Sequence, residues 1–320
     1  MVEASEIERE LEIAQDTLQE LAGDDVDAIE IKSVEADEAP FLARIVSKLS
    51  PMVGNLMEQR IASILNEAAS DGFEWHRQDP GFPDAVLVDS TSREILAGYE
   101  IKAWFVLSTE ITGRFRESVN LLLDQNINVV IVAWCMSNLV FGEPKVLGTL
   151  IVSGEELARS RDSHYHKPPH YLTIEPNDTS SRTANLQQSN VNGYRLQVEK
   201  SDPKLLQEAL DREFSTSNPC SEEAQAEATE LMRDLEYRLD TNFAKIDRVA
   251  NKDVEDFKRR IMKLKYLDKT ISSWKTVFSD LTSTNDKKRE KAEATIMQFY
   301  DSMKVEEPKT SVSEESEGAH

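Results

Sequence analysis

The apolar segment 129–134 constrains the fold of this chain more than any other stretch. Its residues, VVIVAW, are apolar and mostly β-branched, which is typical of a short strand buried on both faces. Segments 85–88 and 95–101 also predict strands, and the polar residues 89–94 between them predict a hairpin turn. A helix is predicted over 110–126. Strand, helix and buried strand in succession predict an α/β fold.

Helices are predicted on either side of this α/β layer. Apolar residues three and four positions apart predict a helix over 5–21 and another over 41–69, interrupted near Ser50-Pro51. Residues 146–152 predict a further strand. Near the C-terminus the helical spacing continues without a break over 254–281, which predicts one long helix.

Composition limits the class of protein. No apolar run approaches the roughly 18 residues that cross a bilayer, and the first residues are acidic where a signal peptide is basic. The two cysteines, Cys135 and Cys220, are too few for a disulfide framework or a four-thiolate zinc site. We therefore expect a cytoplasmic protein with no membrane partner.

The net charge of −22, from 59 acidic and 37 basic residues, argues by itself against a nucleic-acid partner. The charges are unevenly distributed, however. Residues 1–40 hold 14 acids and 2 bases, whereas residues 245–304 hold 15 bases and 10 acids. The bases of this second region predict a surface that embraces DNA or contacts a second subunit, and the solvated face of a helix is the simpler alternative. They include Arg248, Lys252, Lys258, Arg259, Arg260, Lys263 and Lys265.

One pattern of charged residues stands out: Pro83-Asp84, then fifteen residues, then Glu100-Ile101-Lys102. An acid two residues before a lysine occurs seven times in the chain, but Pro-Asp occurs once, and only Glu100 follows it closely within a predicted strand. Pairing Asp84 with Glu100 in an antiparallel hairpin centres the turn on Ser92, inside the turn that composition predicts. Strand alternation then places Glu100 and Lys102 on one face.

Two carboxylates and an ammonium group at one point suit a hard divalent cation. Mg²⁺ prefers oxygen ligands and is commonly held by one or two carboxylates together with a substrate phosphate. The predicted ligands are Asp84, Glu100 and the backbone carbonyl of Ile101. Lys102 would orient a metal-bound water and offset developing charge. A surface hairpin with an ordinary ion pair is the alternative.

On these residues, the chain resembles the PD-(D/E)xK, or restriction-endonuclease-like, nuclease superfamily. The resemblance rests on Pro83-Asp84 and Glu100-Ile101-Lys102, on the apolar strands around them and on the strand 129–134, and it covers about residues 41–152. It implies a mixed central β-sheet flanked by helices, with a C-terminal long-helix region in this chain.

The resemblance also implies a catalytic set. Asp84, Glu100 and Lys102 would be catalytic, with Mg²⁺ as the cofactor. Members often carry a further acid on the helix before the hairpin; Glu58 matches that role, and Glu67 is its competitor. An exposed helical glutamate is the simpler interpretation of both.

The segment 179–195 contains no acid and is rich in Arg, Asn and Gln, which make bidentate contacts with guanine and adenine edges. The candidate DNA-binding residues are Arg182, Asn185, Gln187, Gln188, Asn190 and Arg195. A polar surface loop is the alternative. Three histidines precede this segment, but no cysteine is near them, so a phosphate-contacting or structural loop is favoured over zinc. They are His164, His166 and His170.

Within this superfamily, the chain as a whole most resembles a type II restriction endonuclease, which cuts double-stranded DNA. Cutting both strands requires two active sites, so we expect a homodimer, with a cognate DNA methyltransferase encoded nearby. The alternatives are a repair or junction-resolving nuclease of the same fold, or a non-catalytic acidic interaction protein. The sequence contains no P-loop, dinucleotide fingerprint, His-Glu-x-x-His or nucleophile elbow.

These observations divide the chain into five predicted segments. They are an acidic N-terminal helix and loop (1–40), the nuclease core (41–176), a polar DNA-recognition insertion with a linking helix (177–218), a helical region for DNA embrace or dimerisation (219–304) and a disordered acidic tail (305–320).

Overall fold

The computed structural model describes residues 2–163 except 27–28, 33–34, 109–110, 112 and 124, and residues 244–306. It also describes residues 204 and 226 and the backbone of three strands, Leu172–Pro176, Tyr194–Val198 and Tyr237–Leu239. The polar segment 179–193, the three histidines and the tail from residue 307 lie outside the described residues.

A five-stranded mixed sheet forms the centre of the described chain, which confirms the predicted α/β class. Its strands are β1 (Phe73–Arg77), β2 (Ala85–Asp89), β3 (Ile95–Phe105), β4 (Ile127–Asn138) and β5 (Phe141–Ser153), adjacent in that order. β3 and β4 are parallel, and the other neighbouring pairs are antiparallel. Every residue of 129–136 is buried, as the apolar pattern predicted.

Helices flank the sheet. They are α1 (Ala4–Glu20), α2 (Ala39–Ile45), α3 (Ser50–Ala68), α4 (Val119–Leu122), α5 (Gly154–Asp162), α6 (Lys252–Lys263), α7 (Ile271–Asp280) and α8 (Asp286–Glu306). The predicted interruption is confirmed, because a 3₁₀ turn (Val46–Leu49) separates α2 from α3. Pro51 lies in the first turn of α3, where a missing backbone N–H leaves no helical hydrogen bond unmade.

The β2–β3 hairpin has the register that the sequence predicted. Ala85 faces Tyr99 and Leu87 faces Ala97, which continues to Asp84 opposite Glu100. A register shift follows Leu87, before the turn. Beyond Tyr99 β3 has no strand partner on the β2 side among the described residues, and its last residues pair with β4.

Two predicted helices are wrong in extent. Among the described residues of 110–126, only Val119–Leu122 is helical, because Phe115 and its neighbours are held as a loop by backbone pairing with residues 244–246. The long helix over 254–281 is interrupted by a two-stranded turn, β9 (Lys265–Tyr266) and β10 (Lys269–Thr270). Helix α6 ends at Lys263, where Leu264 leaves the helical conformation, and the positive φ angles of Leu267 and Asp268 then reverse the chain.

A second, three-stranded sheet lies later in the chain than β1 to β5. Its three strands, β6 (Leu172–Pro176), β7 (Tyr194–Val198) and β8 (Tyr237–Leu239), pair in the order β6-β7-β8. The predicted segment boundaries remain predictions. Among the described residues, no helix is long and apolar enough to span a membrane.

Candidate active site

The β2–β3 hairpin brings three of the predicted site residues together. Asp84 directly precedes β2, and its Oδ2 accepts a hydrogen bond from the Ile101 N–H at 2.7 Å. The Lys102 Nζ lies 2.5 Å from Glu100 Oε1 and 3.8 Å from Asp84 Oδ2. The side chains of Asp84, Glu100 and Lys102 are only 14–18% exposed, so the ammonium and both carboxylates interact in a poorly solvated place.

Gly98 allows the chain to bring Asp84 to this point. A Cβ atom on Gly98 would lie 2.2 Å from Cγ of Pro83, so the proline ring occupies the space that any side chain would need. Pro83 therefore packs directly on β3, and Asp84 follows it opposite Glu100. The position of Asp84 therefore depends on both Pro83 and Gly98.

The end of β3 presents backbone groups as well as side chains. The Val106 N–H donates to the Trp134 carbonyl on the β4 side, whereas the Ile101 N–H donates to Asp84 on the other side. Because successive residues of a strand point their backbone groups to alternate sides, the Ile101 carbonyl lies on the same open edge as Asp84. This is the position that the predicted ligand role requires.

Glu58, on α3, is the helix acid that the structure places near the site. Its Oε2 accepts from the Arg77 Nη2 at 3.0 Å, and it lines the same cleft as Lys102. Burial raises the pKa of Glu58, and the negative charge of Asp84 raises it further, although the hydrogen bond from Arg77 opposes both. Glu67 is exposed near the end of α3, about 13 Å along the helix axis from Glu58.

Burial is also the main cause of an unusual carboxyl at Glu100. Its pKa is raised to about 7, chiefly by desolvation, with further increases from the charges of Asp84 and Glu117 and with Lys102 opposing. A cation bound at Glu100 would favour the ionised carboxylate, which couples cation affinity to pH.

The sequence reasoning missed three residues that shape the site: Arg77, Gly113 and Glu117. A Cβ on Gly113 would lie 3.2 Å from Cδ of Lys102, so this glycine packs against the lysine stem. The Gly113 carbonyl accepts from the Ile246 N–H at 3.0 Å, which anchors it to the C-terminal region. None of the three belongs to a local motif, so only the fold reveals them.

A cleft of about 790 Å³ opens beside these groups. Its walls are α2 and α3 on one side and the end of α7 on the other, and residues 101–105 of β3 form its floor. Glu58 and Lys102 line one part of it, and Arg44 and Lys48 line another. The carboxylate centre therefore adjoins a space large enough for part of a substrate.

The donor set fits a magnesium ion with few protein ligands. Among the described residues, no three His, Cys, Asp or Glu side chains are gathered closely enough to form a metal cluster. Two carboxylates, Asp84 and Glu100, and the Ile101 carbonyl are brought together instead. Mg²⁺ retains several waters and needs only one or two protein carboxylates, so this smaller set is sufficient.

The comparisons with known proteins gave no match. No protein-family model matches the chain, and neither a curated protein nor a solved structure does so. The site is therefore defined by the residues and distances described above, and the resemblance to the nuclease superfamily remains a prediction.

The predicted DNA-contacting residues are mostly outside the described chain. Arg182, Asn185, Gln187, Gln188 and Asn190 lie there, as do His164, His166 and His170. Arg195 is in β7, of which only the backbone is described. In the basic C-terminal region, some charge is neutralised internally, because Lys258 pairs with Asp247 at 3.1 Å and with Glu255 at 2.9 Å, and Arg259 pairs with Asp256.

Proposed function

We propose that this protein is a Mg²⁺-dependent endonuclease that hydrolyses phosphodiester bonds of double-stranded DNA. The proposal is carried by one observation: Asp84, Glu100 and Lys102 meet with the Ile101 carbonyl at the open end of β3, beside a cleft. An ordinary surface ion pair, the alternative, does not account for two carboxylates with so little exposure or for the raised pKa of Glu100.

Each residue would have a distinct task. Asp84, Glu100 and the Ile101 carbonyl would hold Mg²⁺, which when bound polarises the phosphodiester and lowers the pKa of a coordinated water. Lys102, released from Glu100, would orient the attacking water and offset the charge that develops on the phosphate. Glu58 has a raised pKa and lines the same cleft, so it would accept a proton from that water.

The finer assignment is a type II restriction endonuclease. Its support is the resemblance of Pro83-Asp84 and Glu100-Ile101-Lys102 to the PD-(D/E)xK superfamily, together with the acid-free segment 179–195. This assignment also implies sequence-specific cutting, a homodimer with two active sites, a cytoplasmic location and a DNA methyltransferase encoded nearby.

Plasmid DNA incubated with the protein and Mg²⁺, with and without EDTA, tests the proposal. We expect discrete fragments that require the metal. Random smearing, or cutting only of branched DNA, would favour a repair or junction-resolving nuclease. No cleavage with any divalent cation would favour a non-catalytic interaction protein and would overturn the proposal.

A variant pair links the activity to the site. Asp84→Ala should abolish cleavage, since it removes a predicted metal ligand, whereas Asp89→Asn, at the other end of β2, should cut normally. Asn retains the oxygen that accepts from the Thr91 and Ser92 N–H groups, so the turn is preserved. A fully active Asp84→Ala protein would contradict the site assignment.

A further inference from the structure

Charged residues line the two ends of the cleft. Glu58 and Lys102 lie beside the Asp84–Glu100 pair, and Arg44 and Lys48 lie on α2 and the turn that follows it. A divalent cation would bind at the first end, and an anion beside the second. A phosphodiester strand carries anions at regular intervals, so a strand with one phosphate at the metal would place the next farther along the cleft.

The floor of the cleft offers a backbone donor between these ends. Ala103 follows Ile101 by two residues, so its N–H points to the same open edge of β3, about 7 Å farther along. Within the described chain, Ala103 pairs only with Val132, on the opposite side. The Ala103 N–H is therefore presented to the cleft rather than used by the sheet.

The two basic residues at the far end differ in their availability. Arg44 is engaged, because its guanidinium pairs with Glu293 and donates to the Leu281 carbonyl at 3.4 Å. Lys48 is exposed and makes no ion pair or hydrogen bond with the described part of the protein. Arg44 thus builds the wall of the cleft, and Lys48 supplies a cation that can bind an anion.

Gly54 keeps the space open. It lies in the first part of α3 and lines the cleft, and a Cβ there would meet only the Ala103 Cβ, at 3.9 Å. Alanine is therefore sterically acceptable and is a better helix former than glycine. The glycine leaves room directly over Ala103 that a long side chain would fill.

We propose that the far part of this cleft is a phosphate subsite, in which the Ala103 N–H and Lys48 bind the phosphate that neighbours the reacting one on the same DNA strand. The inference rests on the proposed nuclease function and extends it, because it defines where the strand lies relative to the metal. Its ligand is the phosphodiester backbone, so the subsite contributes affinity and positioning without sequence preference.

The lysine is tested by DNA binding over a range of salt concentrations, with Ca²⁺ in place of Mg²⁺ and with two duplexes of unrelated sequence. Lys48→Ala should weaken binding about fivefold to tenfold at 0.1 M salt, equally for both duplexes, and reduce the salt slope by about one ion. Lys32→Ala, which removes an exposed lysine of the acidic N-terminal region, is the matched control. A slope equal to that of the control would overturn the role of Lys48.

The cleft itself is tested by Gly54→Leu, with Gly54→Ala as the control. Leucine should fill the space over Ala103 and reduce cleavage at least tenfold, with a thermal midpoint at or above that of the parent, whereas alanine should leave cleavage nearly unchanged. Normal cleavage by a folded Gly54→Leu protein would overturn the subsite. A parent protein that cuts while both Lys48→Ala and Gly54→Leu behave as controls refutes this inference alone; a parent that neither binds nor cuts DNA refutes the proposed function and the subsite together.

Discussion

The two halves of β3 differ in a way that explains where chemistry can occur. From Ile95 to Tyr99 the strand pairs with β2, and from Gly98 it pairs with β4 as well; Tyr99 in this half stacks on Trp75 at 5.0 Å. From Glu100 to Phe105 its only strand partner among the described residues is β4. The half that pairs with β2 builds the framework. The half beyond β2 leaves backbone groups and carboxylates able to meet a ligand.

The two halves of β3 also differ in how burial of their side chains affects the stability of the fold. Burial of Tyr99 and Ala97 stabilises the fold, since their side chains are apolar or stacked. Burial of Glu100 has the opposite effect, because a carboxylate loses hydration, and its pKa rises to about 7. A poorly solvated acid is tolerated in this half of β3 because a cation can neutralise its charge there.

If the half of β3 beyond β2 carries the chemistry, Lys102→Met should impair cleavage severely. We expect cleavage to fall roughly 10²- to 10³-fold, because a cation that stabilises developing charge is lost. Lys102 also lowers the pKa of Glu100, so the pH midpoint for Mg²⁺ binding, measured by calorimetry, should move upward. Lys145→Met, which removes a lysine paired with Asp25 at 3.5 Å, should change neither value. An unchanged pH midpoint in Lys102→Met would show that Lys102 does not affect the ionisation of Glu100.

Glu100→Gln should separate stability from activity. The carboxyl of Glu100 has a pKa of about 7 in the folded protein, against 4.5 ordinarily. Below pH 4.5 it is protonated in both states; as the pH rises to 7 the unfolded chain releases the proton first, so unfolding becomes progressively easier.

The variant should therefore match the parent near pH 4.5 in free energy of unfolding and exceed it by up to about 3 kcal/mol at pH 8 without metal. Urea titrations at both pH values check this, with Glu94→Gln, at an exposed turn residue, as the control. Cleavage should be lost in Glu100→Gln. A variant that is less stable than the parent at pH 8 would show that the carboxylate is well solvated or well paired.

In the half of β3 that pairs with β2, Gly98→Ala should affect the fold. The new Cβ would overlap the Pro83 ring, so we expect a loss of about 1–3 kcal/mol in the free energy of unfolding. Cleavage should also fall, because Asp84 follows Pro83. Denaturant titrations of Gly98→Ala and Gly54→Ala compare the two glycines. Alanine at position 54 should instead stabilise α3 by up to about 1 kcal/mol. Equal effects at the two glycines would contradict the close packing of Pro83.

The smallest expected effects compare the two helix acids. Glu58→Gln should lower cleavage about tenfold, within the range of a general base that assists without being essential. Glu67→Gln should have no effect on cleavage, because Glu67 is exposed near the far end of α3. Single-turnover cleavage rates distinguish the two. A larger loss in the Glu67 variant would reverse the assignment of the helix acid.

Local patterns in the sequence were sufficient to predict the hairpin. A polar turn between two apolar strands sets the register, so Asp84, Glu100 and Lys102 were placed together without the fold. The break before α3 was likewise predicted from Pro51. These features depend on residues close in the chain, which is why sequence reasoning reached them.

Non-local contacts account for what the sequence did not reveal. β1 was missed because its residues, FEWHR, alternate weakly, and only pairing with β2 makes them a strand. The apolar residues Ile111 and Phe115 suggested a helix but anchor a loop, whose partners come from residues 244–246. Helical spacing also continued through Leu267 and Asp268, where the backbone reverses. Arg77, Gly113 and Glu117 reach the site from separate elements.

The loop around Phe115 joins parts of the chain that are far apart in the sequence. The buried Arg161, near the end of α5, donates to the carbonyls of Phe115 and Glu117 at 3.0 and 2.8 Å, and the Phe115 N–H donates to the Ala244 carbonyl at 2.8 Å. Arg161 and Ala244 thus meet at one loop although they are far apart in the sequence. A change in the length of the segment that joins them would therefore leave both contacts to this loop, and the carboxylates of β3, in place.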